Sequence, residues 1–574
     1  MTVNMENLSM TGKANYYKVM SGQQAYAEFQ QMSQEPMKYN EELLMKILED
    51  NKDTEYGKKY DFAGIKSIED FQKKVPVTRY DDYVEYILRM TDDCEENLIC
   101  VYPINHYCKS SGTMGNPKRL PMSDKAIDIF NRYNGHYMSA MLADKLGMDW
   151  IDGKNMSITE SAAHIDTLNN GATYGALSVK MILENREYLP LIYTSPDEAT
   201  FPKNDTNTRS LHARFGLMDK NITSAGASFY SFYLEMLRYI EKQWELLVKD
   251  IEQGTIDESI KMSDEVRESV LKKIQPMPER AAELREIFEQ GFDEPFVPKV
   301  WPRLQYIAGV GTGGFKVYAD KIKSRYTGDK VKQYKTGLSA SEGIFSAPFD
   351  MDSEDSALLP DSMFYEFLPL DAGDDFSQIV TMADVEVGKD YEVITTNLSG
   401  FYRYRMRDAV RITGKYNNVP TIQFLFRIDQ TVSIMGEKTT EAALRYAAEK
   451  TAEELEFEMI DFSMYPDLTA SPVRYLYFME LGKMPEGLKA KEIRFVLEEK
   501  LAEANPSMGA KVEAGICGPT KLNIVEPETY MLYRDLMMSK GVASGQLKPV
   551  RVISNELQRK LFFALTEYGV ELVK

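Results

Sequence analysis

The stretch Lys109–Pro121, KSSGTMGNPKRLP, gathers two serines, a threonine and two glycines within Ser110–Gly115, followed by Lys118 and Arg119. Hydroxyls, pliable backbone and positive charge in one turn are what a phosphate group needs. Gly112 and Gly115 can take φ > 0 and let several amides converge on an anion. Ser110, Ser111 and Thr113 add donors, and Lys118 adds a point charge. An ordinary surface turn has the same composition, so on these residues alone both readings stand. The P-loop spacing G-x-x-x-x-G-K-[ST] is absent from the chain.

Other chemistries find less support. The four histidines, His106, His136, His164 and His212, are scattered singly, and none of the four cysteines forms a Cys-x-x-Cys pair. A zinc site and a disulfide framework are therefore not expected. A thiol-protease reading of His106 with Cys108 is set aside. The net charge of −20 repels nucleic-acid phosphates and anionic lipid overall, though it leaves room for a local basic cleft. The opening residues, MTVNMENLSM, lack a basic patch followed by an apolar core, and no apolar run reaches the ~18–20 residues of a membrane span. A reducing, cytoplasmic compartment is expected, with no nucleic-acid partner, no membrane span and, by default, a monomer.

The elements that must position the phosphate-like loop come next. The length of 574 residues exceeds one domain of about 100–200 residues, and 43% apolar content supplies a substantial core. Ile99–Tyr107 reads as a strand entering the loop and Ser123–Leu146 as a helix leaving it. Ser228–Leu247 carries Phe229, Phe232, Tyr233, Leu237, Ile240 and Trp244 at helical spacing, an aromatic stripe that belongs in a core. Short β-like runs at Leu304–Val310 and Lys332–Leu338 are each followed by small residues, GVGTGG and SASEG. Met363–Pro369 and Asp390–Asn397 read as further strands. The fold class is α/β: a large N-terminal domain with mixed sheets flanked by helices. After it, Thr440–Leu455, Phe457–Tyr465, Val473–Leu481, Lys489–Ala504 and Lys521–Val525 give α-β-β-α-β, a small two-layer domain. The division lies near Arg427–Gly436 and is drawn as residues 1–428 and 429–574.

Several stretches together resemble a known family. Lys109–Lys118 is similar to the serine/threonine/glycine phosphate loop of the adenylate-forming superfamily. VPVTRYDDY (Val75–Tyr83), the set Trp244, Leu247, Asp250, Ile251 and Gly254, Trp301-Pro302, SASEG, TTNLSGFYRYRMRDAV (Thr395–Val410) and GEKTTE (Gly436–Glu441) follow in the order found in the plant auxin-conjugating (Gretchen Hagen) acyl acid–amido synthetases and their bacterial relatives. The resemblance covers most of the chain.

The resemblance implies an ATP-dependent ligase using Mg2+. A small carboxylic acid would be adenylated and its acyl group passed to an amine, such as an amino acid. Ser110, Ser111, Gly112 and Thr113 would hold the phosphates with Lys118. Ser341 would lie near the nucleotide, and Glu342 would help hold Mg2+. Arg405 and Asp408 belong to the segment matching Y-R-x-G-D, whose aspartate takes the ribose hydroxyls. Arg427 would reach the ribose, Lys438 the nucleotide, and Lys548 would stabilise charge on the α-phosphate. Leu338, Ala340 and Arg407 depart from the family pattern, which has tyrosine, serine and glycine there. The acid pocket is expected from Ile127–Tyr137, Ser228–Leu247 and the region of Val310, with aromatic content suited to a flat, benzoate-like acid. An acyl-CoA ligase and a non-catalytic acid or nucleotide binder remain as alternatives.

Overall fold

The structure is a computed structural model, and residues 4–109, 118–161, 165–203, 206–428, 434, 439–542 and 547–570 are described. Four short strands form a parallel sheet in the order Asn155–Ile158, Ser224–Phe229, Tyr306–Val310, Lys332–Lys335. Parallel neighbours need crossover connections, and the aromatic stripe supplies one as the helix Tyr230–Gln253. Phe232, Tyr233, Leu237 and Ile240 are buried, as their spacing predicts. Gly254, in the left-handed region at φ 68°, ends this helix, where a Cβ would come within 2.5 Å of the Pro276 nitrogen. Asp250 is buried and accepts from Thr255 Oγ1 (3.1 Å) and the Asp257 amide (2.9 Å), and the Arg214 guanidinium donates to its carbonyl. Trp301 Nε1 donates to the Gly216 carbonyl at 2.8 Å. These motif residues thus build the scaffold around the parallel sheet.

The second large unit is a seven-stranded antiparallel sheet, ordered Ser346–Ala347, Ser356–Leu358, Val419–Arg427, Tyr404–Tyr416, Asp390–Asn397, Met363–Pro369, Val380–Thr381. The segment Val75–Tyr83 clamps one end of it. Thr78 bridges Tyr404, its Oγ1 donates to the Tyr402 carbonyl (2.7 Å), and the Tyr83 hydroxyl accepts from the Tyr402 amide (2.8 Å). Tyr402 and Tyr83 are both fully buried.

Two expectations around the loop need correction. The strand is only His106–Lys109, and Ile99–Asn105 is irregular. A second strand, Arg119–Met122, precedes the helix, so the loop joins antiparallel strands paired from His106↔Met122 to Lys109↔Arg119. Four residues with a central proline give too short a signal for periodicity to report. The helical stretch Asp124–Leu146 holds, with one π turn at Arg132–Tyr137.

Residues 441–570 build their own sheet, ordered Met459–Asp467, Arg474–Leu481, Lys521–Val525, Thr566–Val570. Alternation along its second strand splits the burial. Tyr475, Tyr477 and Met479 meet Leu444, Ile493 and Leu497 on one face, while Leu476 and Phe478 meet Tyr530 and Phe562 on the other. The helices Thr529–Ser539 and Glu556–Ala564 therefore add a layer that the expected α-β-β-α-β order did not contain. Of the expected division near Arg427–Gly436, drawn between residues 428 and 429, residues 429–433 and 435–436 lie outside the described residues. Among the described residues no helix is long and apolar enough to cross a membrane.

Candidate active site

Ligands of open α/β sheets bind beyond the carboxyl ends of the strands. The strand Lys332–Lys335 leaves the parallel sheet at that end and leads into a hairpin in which Ser339 pairs with Ile344 and Ala340 with Gly343. Ser341 and Glu342 form its two-residue tip. Gly343 lies at φ 144°, with Met363 Cε 3.0 Å from where a Cβ would stand, so a side chain there would be both strained and crowded. Asn397, the last residue of its strand, donates from Nδ2 to the Glu342 carbonyl (3.0 Å). Its Oδ1 accepts from the amides of Ser399 and Phe401 (3.0 and 3.1 Å). One buried side chain of the TTNLSGF segment thus ties the hairpin tip to the antiparallel sheet.

The Glu342 carboxyl is buried, and that burial pushes its pKa up, opposed by the nearby Arg427 guanidinium and reinforced by Asp408. Lys118 also lies close enough to favour its charge, its ammonium 4.8 Å from the Tyr80 ring centroid. Asp408 and Arg427 face each other across neighbouring strands, with Arg427 Nε and Nη2 donating to the two carboxylate oxygens at 2.8 and 3.1 Å. The Asp408 charge holds the Arg427 pKa above its ordinary value. Asp408 is 3% exposed, so the forked pair is a fixed link between the two strands.

Arg407 sets up this geometry. It stands at φ 64°, the left-handed conformation that the family pattern meets with glycine. Register shifts from Arg405↔Ile394 to Ala409↔Glu392, a bulge that redirects the strand just before Asp408. Arg407 Nη1 donates to Glu392 at 3.2 Å, so a buried carboxylate accompanies the strained backbone. Arg405 has different surroundings from those expected. Its Nε and Nη2 grip Glu392 (2.9 and 2.6 Å), Nη1 takes Asp374 (2.6 Å), and the Phe376 ring lies 5.1 Å from its guanidinium carbon. With each guanidinium nitrogen engaged and 4% exposure, Arg405 supports the bulge.

Lys548 arrives from the small domain. Its loop runs beside the strand Met459–Asp467: the Met464 amide donates to the Arg551 carbonyl and the Ile553 amide to the Met464 carbonyl, both at 2.8 Å. The lysine side chain keeps contact with solvent, yet protein from both domains crowds it. That crowding, and then Arg427, lower its pKa, while Asp408, Glu441 and Glu342 oppose them. Glu342, Asp408, Arg427 and Lys548 therefore share one electrostatic neighbourhood. Ser110, Ser111, Gly112, Thr113 and Lys438 lie outside the described residues.

A cavity of about 430 Å3 between the two domains, lined by Arg238, Lys321, Tyr326, Glu458 and Lys483, includes none of these groups. His106 and Cys108, two residues apart on one strand, share a face but are both buried. Burial holds the imidazole at about 4 and pushes the thiol up to about 12, so neither an imidazolium nor a thiolate forms near neutrality. The residues that sequence reasoning missed are Asn397 and Glu392. Asn397 sits inside a quoted motif, but only its hydrogen bonds distinguish it from its neighbours.

A parallel sheet, an antiparallel sheet beside it and a small α/β domain that brings in a lysine make the fold of adenylate-forming enzymes. A 2-hydroxyisobutyryl-CoA ligase in the postadenylation state superposes with a TM-score of 0.52 at 14% identity, covering 91% of this chain and 90% of that one. A GH3.15 acyl acid amido synthetase superposes with a TM-score of 0.81 at 24% identity, covering 95% and 96%. The chain belongs to the GH3 family: the family's N-terminal domain matches residues 25–331, its central domain 356–427 and its C-terminal domain 441–557. In sequence it is 28% identical to a probable indole-3-acetic acid-amido synthetase of Oryza sativa subsp. japonica, over 94% of this chain and 95% of that protein.

Proposed function

We propose that the protein is an ATP-dependent acyl acid–amido synthetase. A carboxylate oxygen attacks the α-phosphorus of ATP, the bond to pyrophosphate breaks, and an acyl-adenylate forms. The nitrogen of an amine, taken to be that of an amino acid, then attacks the acyl carbon. The C–O bond to AMP breaks, and the nitrogen loses a proton. Carboxylates are poor electrophiles, so the adenylate is what makes the second step feasible.

The observation that carries this reading is that Glu342, the Asp408–Arg427 pair and Lys548, from a hairpin tip, two neighbouring strands and a loop, share one electrostatic neighbourhood in a GH3 chain. Asp408 would accept the ribose hydroxyls, with Arg427 fixing its carboxylate and reaching the sugar. Lys548 would meet negative charge growing on the α-phosphate. Ser110–Thr113, Lys118, Ser341 and Lys438 would complete the nucleotide contacts. Among the described residues no cluster of three or more His, Cys, Asp or Glu could cage a metal. A single buried carboxylate fits Mg2+, which binds through one or two carboxylates and the substrate's phosphates. Held by Glu342, Mg2+ would neutralise phosphate charge. Residues 1–428 and 429–574 are taken as the two working parts, and four free thiols support a reducing, cytoplasmic setting. Stacked Phe229 and Phe315, with centroids 4.4 Å apart, support a flat acid near Val310.

The test is pyrophosphate release from Mg·ATP with a panel of indole, aromatic and fatty acids, with and without an amino-acid mixture, and product masses by chromatography. Acid-dependent release with an acyl–amino acid mass is expected. Product only with CoA would make it an acyl-CoA ligase, and ATP binding without release for any acid would make it a binder.

A further inference from the structure

The backbone on either side of Lys548 is anchored to the large domain. Leu547, 9% exposed, packs into the apolar core around the parallel sheet, with Met537, Met538 and Val542 beside it. Three residues beyond the lysine, Arg551 reaches across the boundary between the domains. Its Nη2 donates to the Tyr318 hydroxyl at 3.2 Å, and its Nη1 donates to the Phe462 carbonyl at 2.8 Å and to the Asp461 carboxylate. Tyr318, from the helix Lys316–Lys321 of the large domain, donates its own proton to the other Asp461 oxygen at 2.7 Å. The three side chains close a ring of hydrogen bonds. Tyr318 and Arg551 are each 5% exposed, and the guanidinium carbon lies 4.4 Å from the Phe462 ring centroid.

The ring divides unequally between the domains. The Asp461–Arg551 ion pair lies wholly in the small domain and sets the backbone that carries Lys548. Only the tyrosine hydroxyl belongs to the large domain. That helix follows directly from the small-residue run after the strand Tyr306–Val310, at the carboxyl end of the parallel sheet. Removing one oxygen atom from Tyr318 would therefore leave the ion pair, the Leu547 anchor and the ring packing in place. It would delete a link between the lysine's loop and the site's floor.

We infer that Tyr318 is a positioning residue for the first half-reaction, its hydroxyl holding the Asp461–Arg551 pair, and through it Lys548, in register with Asp408, Arg427 and Glu342. The inference rests on the adenylation role given to Lys548 above. Tyr318 touches no reacting atom in this account. It fixes the placement of the group that does, and the inference gives it no part in the attack of the amine.

The test separates the half-reactions. The first is acid-dependent exchange of labelled pyrophosphate into ATP, run with the acid of the panel that gives the largest exchange. The second is amide formation from the chemically synthesised adenylate of that acid with an amino-acid mixture. Tyr318→Phe should slow exchange about five- to tenfold, the size of one net hydrogen bond, at unchanged KM for ATP. Amide formation from the ready-made adenylate should stay within about twofold. Equal losses in both halves would show a merely structural role and overturn the inference, as would exchange at the wild-type rate. Lys548→Ala separates this from the parent reading: full exchange in that variant would refute the role of Lys548, whereas lost exchange there with none lost in Tyr318→Phe refutes only the positioning role. Should Tyr318→Phe melt early, Asp461→Asn, which keeps the side chain's size and weakens the same ring, must show the same split.

Discussion

Arg407 shows how a single residue can carry two opposed terms. A non-glycine side chain in the left-handed region costs about 1–2 kcal/mol, while its guanidinium shares Glu392 with Arg405. Alanine would keep the strain and lose the ion pair; glycine would lose both. Arg407→Ala is expected to be about 1 kcal/mol less stable than Arg407→Gly, read from denaturation midpoints of the two variants. Equal midpoints would mean that the bulge rearranges when the side chain is removed. Asp408 and Lys548 are argued at the same scale. Asp408→Ala removes a buried acceptor of charge-assisted bonds, so KM for ATP should rise about tenfold or more. Lys548→Ala removes a cation aimed at developing charge, so the rate of adenylation should fall about 100-fold with little change in ATP binding.

At the scale of elements, hairpins and strand ends bring the site together while buried polar side chains fix the scaffold behind it. Two of those are histidines. His106 sits at the start of its strand with Nδ1 2.8 Å from Thr173 Oγ1, and His212 sits inside the helix Thr208–Met218 with Nδ1 2.6 Å from Ser195 Oγ. Burial depresses both from the ordinary 6.5 to about 4. An unfolded chain takes up these protons as pH falls through about 6.5, and the folded chain does so only near 4. Stability is therefore full at neutral pH and declines between those values, by on the order of 3 kcal/mol for each ring. Melting midpoints should fall from pH 7 to pH 5, and His212→Gln should flatten that slope. A slope unaltered by the substitution would place the acid sensitivity elsewhere.

At the scale of the whole molecule, the small domain is docked by charge as well as by apolar contact. Arg238 pairs with Glu458 at 3.2 Å, Arg209 with Asp535, Lys242 with Glu528 and Arg534 with Glu235, each pair spanning the two domains. Several of these groups are solvent-accessible, so salt screens them, whereas Leu547 and its apolar neighbours are insensitive to it. The radius of gyration from X-ray scattering should rise between about 0.05 and 1 M salt and fall again with Mg·ATP, which would bind across the cleft. A radius constant with salt would mean that apolar contact alone holds the domains together.

How much of this was legible in the sequence follows from the range of the forces involved. Helices such as Tyr230–Gln253 were readable because one-sided burial imposes a local period on their apolar residues, and strands such as Met363–Pro369 and Asp390–Asn397 because burial on both faces leaves short runs rich in apolar and β-branched residues. The ordered motifs, TTNLSGFYRYRMRDAV above all, pointed to the family and to Glu342, Asp408 and Lys548 as candidates. Arg407 in a glycine's place already implied a turn that must tolerate a side chain, and its φ of 64° is that turn. Local pattern could not show that Arg405 spends its donors on Glu392 and Asp374, since the residues involved lie far apart in the chain. Nor could it show that Asn397 holds the Glu342 tip, or that Tyr318 meets Asp461 and Arg551 from another domain. The sequence by itself determined which residue types were present and the local elements that carry them. Which charges neutralise one another, and which are left facing the cleft, was decided only by the tertiary structure, because pairing depends on distance in space and the chain encodes only distance along itself.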